Sequence, residues 1–206
     1  MWWERFRCYL EGGTPPGGSF TNRGARNSAK PERWEFVELP GRLYFAGYTK
    51  AWGGGGVAFI DPQATGSTFW GRAWLLERSQ WIDIAAQENG LPADLTPDFP
   101  IEDVIATGEL ELDDLPSHNG ICYRRLLYLG DRDDTPMLTF TAPRNYLGRS
   151  NLSAPSEEYL STIIRGIREM KPEINSDSLA DYLKASEGLG KMESEKLNHI
   201  IDTIIK

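Results

Sequence analysis

Glu88 stands in "IAAQENG" (84–90), at the end of what reads as a short helix and directly before Asn89-Gly90. The C-terminal end of a helix disfavours a carboxylate, because the macrodipole there opposes the charged form and raises its pKa. A carboxyl so tuned suits general acid–base work near neutral pH. Ala85 and Ala86 are small and would leave room around it. A solvated surface glutamate fits the same position, and on the residues alone both readings stand. Other groups offer less. His118 in "PSHNG" and His199 near the end have no Cys or carboxylate at metal-ligand spacing, so both read as surface or structural and no metal is expected. No G-x-S-x-G elbow supports a serine nucleophile. Glycines 53–56 lack the Lys-Ser/Thr of a P-loop and read as a tight bend where the backbone approaches something closely.

The elements that would position these groups follow from periodicity. Trp2, Phe6, Tyr9 and Leu10 recur at helical spacing over 2–11, and Gly12-Gly13 stop that helix. Residues 19–32 are polar and turn-rich, a loop. Alternation predicts strands over 33–39, 42–48, 57–60 and 68–76, separated by Pro-Gly and Gly-rich turns. Ser79 can cap a helix over 79–90 that ends near Glu88. Residues 91–118 are acidic and proline-bearing and read as loop with short strands. Strands follow at 121–130 and 136–143, with 131–134 turning between them. From Ser153 the pattern is helical: "APSEEYLSTIIRGIREM", "SDSLADYLKASEGLG" and "ESEKLNHIIDTIIK". A hairpin-rich sheet followed by helices predicts α+β, with a mostly antiparallel sheet or barrel. The last helix carries Leu197, Ile200, Ile201, Ile204 and Ile205 on a broad apolar face that must pack on this domain or on a partner. Residues 1–190 read as one domain and 191–206 as a C-terminal helical appendage.

Composition limits the partners. The 206 residues carry a net charge of −8, which argues against a nucleic-acid binder, and no Lys/Arg cluster suits an anionic membrane surface. No window approaches the roughly 18 apolar residues of a membrane span. Cys8 and Cys122 read as free thiols rather than a disulfide, which points to a reducing compartment; with no signal peptide in view, the expected location is cytoplasmic.

Several stretches taken together resemble one family: "RLYFAGYTKAWGGGGVAFIDP", "FWGRAWLL", the carboxylate of "IAAQENG", "PMLTFTAP" and "APSEEYLSTIIRGIRE". In combination they look like the γ-glutamylcyclotransferase-like proteins, over roughly residues 5–185. The resemblance implies a small mixed, mostly antiparallel β-barrel flanked by helices. It implies a small γ-glutamyl amine or peptide as substrate. A glutamate, Glu88 by position, takes a proton from the α-amine, which attacks the γ-carbonyl to give 5-oxoproline, and the same carboxyl protonates the leaving amine. No cofactor or metal is implied, because the attack is intramolecular. Tyr159, in "PSEEYL", matches a tyrosine near the pocket, although a helix-face Tyr packed on the barrel fits as well. Trp52, Gly55 and Gly56 match a W-G-G segment read as pocket wall or lid.

The family's Tyr-Gly-Ser-Asn loop, whose backbone holds the substrate carboxylate, does not occur in the sequence. Met1 aligns with the residue that ends that motif, which makes it a substrate-binding candidate. Two expectations follow: a longer natural chain that is an active enzyme, or an inactive small-molecule-binding or protein-interaction module on the same fold. A barrel short of one strand would expose an edge and favour self-association.

Overall fold

The computed structural model describes residues 1–92, 99–112, 123–146 and 151–205; His118 and Cys122 lie outside them. Helix α1 (Trp3–Glu11) buries Phe6, Cys8, Tyr9, Leu10 and, unexpectedly for a cation, Arg5. It stops at Gly12, whose N–H still donates to the Cys8 carbonyl while its positive φ of 83° turns the following chain out of the helix. α1 lies against a later helix, α4 (Glu157–Met170), at Gly166, where a Cβ would come within 2.7 Å of the Trp2 nitrogen. That glycine therefore sets how closely α1 approaches.

The chain is α+β. β1 (Trp34–Pro40) pairs antiparallel with β4 (Thr68–Trp74), and β2 (Arg42–Ala46) with β3 (Val57–Asp61). β5 (Glu109–Glu111), β6 (Arg125–Arg132) and β7 (Thr135–Thr141) form a third antiparallel sheet. Asp133 and Asp134, both at positive φ, make the two-residue turn between β6 and β7, narrower than the four residues read from sequence.

The expected closed barrel is not what forms. Among the described residues the strands make three separate ladders, because side chains and loops take the backbone groups that a neighbouring strand would use. At the seam between β3 and β7, the Thr141 hydroxyl accepts from the Ile60 N–H (3.0 Å) and donates to the Ile60 carbonyl (2.7 Å). On β4 the Trp70 N–H donates to the Tyr182 hydroxyl (2.9 Å). On β2, Phe45 bonds the Glu187 carbonyl and the Ser153 N–H. These sheet-edge groups are thus satisfied from outside the ladders.

Helix α2 (Arg78–Glu88) begins one residue earlier than expected and is capped by Glu77, not Ser79: Glu77 accepts from the third helical N–H, while Gln80 accepts from the Glu77 N–H (3.0 Å). The stretch 91–118, read as loop with short strands, contains a helix, α3 (Ile101–Thr107), besides β5. α4 is capped by Ser156, α5 (Ser176–Lys184) by Asn175, and α6 (Ser194–Ile205) closes the chain. Leu197, Ile200 and Ile201 of α6 share a core with Leu160, Ile164 and Leu183 of α4 and α5. A second core joins α2, α3 and β6 through Ala86, Val104 and Leu126; a third joins α1 to α2 through Phe6, Leu10 and Ile84. Among the described residues no helix is long and apolar enough to cross a membrane.

Candidate active site

A cavity of about 380 Å³ is lined by residues of α1, the 20–23 loop, the 49–52 turn, the end of α2 and Tyr123. Glu88, the last residue of α2, lines it. The helix ends there because Asn89 and Gly90 follow; the Asn89 side chain also turns back to donate to the Ala85 carbonyl (2.9 Å) and to the Tyr123 carbonyl (3.3 Å). Glu88 Oε1 accepts a hydrogen bond from the Tyr9 hydroxyl. Burial pushes the Glu88 carboxyl above the usual range; the Arg5 charge and the Tyr9 bond pull the other way without cancelling it. Tyr9 is itself pushed far up, by burial first and then by the Glu88 charge, so it remains a protonated donor.

Arg5 sits one helical turn before Tyr9 on α1, so both side chains reach the same wall. Its guanidinium lies over two aromatic faces, 4.7 Å from the Trp52 ring centre and 4.9 Å from that of Tyr159. Burial opposes its charge, but Tyr9, Tyr159 and Glu88 outweigh burial and hold it protonated. The walls are locked from behind. Gln87 donates to the Tyr9 carbonyl (3.0 Å) and accepts from the Gly24 N–H (3.2 Å), tying α2 to α1 and to the loop after it. Arg23 donates to the Leu91 carbonyl. Asp83 is buried: it accepts from the Arg26 N–H (2.8 Å) and the Arg26 guanidinium (3.0 Å), anchoring the same loop.

Of the residues singled out by sequence, Glu88 and Trp52 line the cavity. Tyr159 stands behind that wall, edge-on to Trp52 at 5.4 Å, with its hydroxyl accepting from the Ala58 N–H (3.2 Å). Gly55 and Gly56 face elsewhere. A Cβ at Gly55 would meet the Ala154 carbonyl at 2.6 Å, and one at Gly56 would collide with the Ser153 carbonyl, so they serve the approach of the chain that leads into α4. Met1 lies beside Gly166, its carbonyl accepting from Arg72 (3.3 Å). Ala85 and Ala86 do not open space around Glu88; they are fully buried against α3 and β6. His199 is exposed on α6. Among the described residues no group of three or more His, Cys, Asp or Glu is placed to hold a metal ion.

Sequence reasoning missed Arg5, Tyr9, Asn22, Asn89 and Tyr123. For the first two a signal existed: an arginine at i and a tyrosine at i+4 on the apolar side of a predicted helix. Asn22 and Tyr123 carried none, since a turn-rich loop and a strand entry do not announce what they face.

Among curated proteins, the chain is similar to histone deacetylase 5 of Arabidopsis thaliana, at 31% identity over 182 residues, 82% of this chain and 27% of that protein. The chain therefore spans about a quarter of the length of the curated relative it matches. No family model matches the chain, and no solved structure matches it.

Proposed function

We propose that this chain is a γ-glutamylcyclotransferase-like enzyme, with its three ladders an opened counterpart of that family's small barrel. The observation that carries the reading is Glu88: a carboxyl with a raised pKa, bonded by Tyr9 and facing a cavity large enough for a small molecule. In the proposed reaction the Glu88 carboxylate takes a proton from the α-amine of a γ-glutamyl amide. The amine attacks the γ-carbonyl carbon, the bond to the leaving nitrogen breaks, and protonated Glu88 returns the proton to that nitrogen. The products are 5-oxoproline and a free amine, with Glu88 regenerated. The five-membered ring closes within one bound molecule, so holding the chain in a folded-back conformation supplies much of the advantage.

The test is release of 5-oxoproline, followed by mass spectrometry, from a panel of γ-glutamyl amines and dipeptides. Turnover of at least one member, abolished in Glu88→Gln with the fold intact, supports the proposal. No product from any of them, or an undiminished rate in Glu88→Gln, overturns it.

A second reading is a module that binds a small molecule or a protein without turning anything over. One observation favours it: the similar stretch is about a quarter of a much longer protein whose name describes another activity. Saturable binding of a γ-glutamyl amide without product would select it.

A further inference from the structure

Gln80, Asp83 and Gln87 recur three and four residues apart, so they share one face of α2. That face is polar and yet packed. Gln80 donates to the Asn27 and Ala29 carbonyls (3.2 and 2.8 Å), Asp83 accepts from the Arg26 N–H (2.8 Å), and Gln87 accepts from the Gly24 N–H (3.2 Å). Residues 24–29 therefore run along α2 in the opposite sense, as a strap that continues from Asn22 and Arg23 on the cavity wall. At its start the strap presses on the end of α1: a Cβ at Gly24 would come within 2.9 Å of the Gly12 nitrogen.

Gln87 also reaches α1. Its amide nitrogen donates to the Tyr9 carbonyl (3.0 Å) as well as to the Asp83 carbonyl (3.2 Å), so both ends of the amide are engaged. The Tyr9 carbonyl needs such a donor. It lies in the last turn of α1, and the Gly13 N–H that would meet it in a longer helix donates to the Asn22 carbonyl instead (2.9 Å). Consecutive residues of α2 thus hold Tyr9 at its two ends, Gln87 at the carbonyl and Glu88 at the phenol. Successive helical side chains diverge by about 100°, which lets one grip the backbone while the other meets the ring tip.

We infer that Gln87 is a positioning residue for Glu88: its grip on the Tyr9 carbonyl fixes where the Tyr9 phenol meets the Glu88 carboxylate. The groups that bear on Glu88 are Arg5 and Tyr9 of α1 and Tyr123 before β6. Two of them ride on α1, so a looser α1 weakens both influences that favour the carboxylate. The inference rests on Glu88 being the acid–base group of the reaction proposed above, but its readout does not require turnover.

Gln87→Met removes the amide and keeps the side-chain length. Gln80→Met does the same on the same face of α2, away from Tyr9. Both should lower the melting temperature of the full chain. In Gln87→Met alone the Glu88 carboxyl carbon, followed by NMR, should titrate at higher pH than in wild type. On the acid limb of 5-oxoproline release kcat/KM should then fall about two- to tenfold, the range one neutral hydrogen bond allows. In a Tyr9→Phe background Gln87→Met should shift Glu88 much less, because its effect passes through the phenol. Gln87→Asn, whose amide is one methylene too short for the Tyr9 carbonyl, should shift Glu88 in the same direction and decides the matter if the methionine variant folds poorly. A Glu88 titration that stays in place in both Gln87 variants, moves to lower pH, moves equally in Gln80→Met, or moves as far in the Tyr9→Phe background overturns the inference. If Glu88 shifts as expected but no 5-oxoproline forms, the positioning role stands and the proposed reaction falls. If product forms while Glu88 titrates unchanged in the Gln87 variants, the positioning role falls alone.

Discussion

Replacing Tyr9 by Phe isolates what the phenol does for Glu88. The ring stays, so the packing of α1 against Ile84 is kept. The Tyr9 carbonyl still accepts from Gln87, so the link between α1 and α2 survives. What is lost is the hydrogen bond to a carboxylate that burial already disfavours, together with the bond between the phenol and the Arg5 side chain. A bond to a charged group contributes about 1.5–3 kcal/mol. At fixed pH, that changes the ratio of ionised to protonated Glu88 by roughly ten- to a hundredfold. The sign is fixed: the bond favours the carboxylate, so its removal moves the Glu88 pKa further up. On the acid limb of the kcat/KM profile, where ionised Glu88 limits the rate, Tyr9→Phe should be slower by that factor. At high pH, where both proteins are ionised, the two should converge. The assay is 5-oxoproline release across pH; titration of the Glu88 carboxyl carbon by NMR checks the shift without needing turnover. An acid limb that stays in place, or moves toward lower pH, would refute the reasoning.

Glu88 also predicts a pH dependence of stability. Its folded-state pKa lies above the unfolded value, so its contribution is complete below the unfolded carboxylate range and is lost as pH rises through the folded pKa. Melting temperature should therefore fall for wild type relative to Glu88→Gln as pH rises above the ordinary carboxylate range; curves that stay parallel would contradict it. Gly166→Ala sets helix propensity, a gain of about 1 kcal/mol, against a Cβ placed 2.7 Å from the Trp2 nitrogen and 2.9 Å from the Met1 carbonyl carbon. Overpacking costs about 1–3 kcal/mol and backbone cannot swing aside, so a net loss in melting temperature is expected, and a gain would show that α1 is not pinned there. Thr141→Val keeps the shape but strands the Ile60 N–H and carbonyl at the β3–β7 seam. At about 1–3 kcal/mol per stranded group, urea unfolding should report a loss of at least about 2 kcal/mol. A loss under about 0.5 kcal/mol would mean water or a shifted backbone replaces the hydroxyl.

How much of this was readable in the sequence depended on whether a residue's role was local. The alternation in "RWEFVEL" and the helical spacing in "APSEEYLSTIIRGIREM" report which face is buried, and those elements appear where the spacing puts them. Glu88 at a helix end was legible for the same reason. Closure of the sheets was not, because it turns on one threonine hydroxyl and one tyrosine hydroxyl meeting backbone groups 81 and 112 residues away in sequence. The burial of Asp83 was not legible, because it depends on the 19–32 loop folding back and bringing Arg26 over it. Gly55 and Gly56 were legible as a close approach but not as to what approaches: the chain leading into α4, not a ligand. The helix over 101–107 was hidden by its shortness and by the proline before it.

The balance of forces in the cavity explains why α1 matters more than its length suggests. Glu88 has a buried cation and a phenol donor beside it, either of which would ordinarily depress a carboxyl, yet burial wins and the pKa goes up. α1 supplies both of the groups that hold this rise in check. A buried guanidinium needs partners of its own, and Arg5 has the Tyr9 phenol, the Glu88 charge and the Trp52 and Tyr159 faces. Those faces partner its charge but leave Nε unbonded.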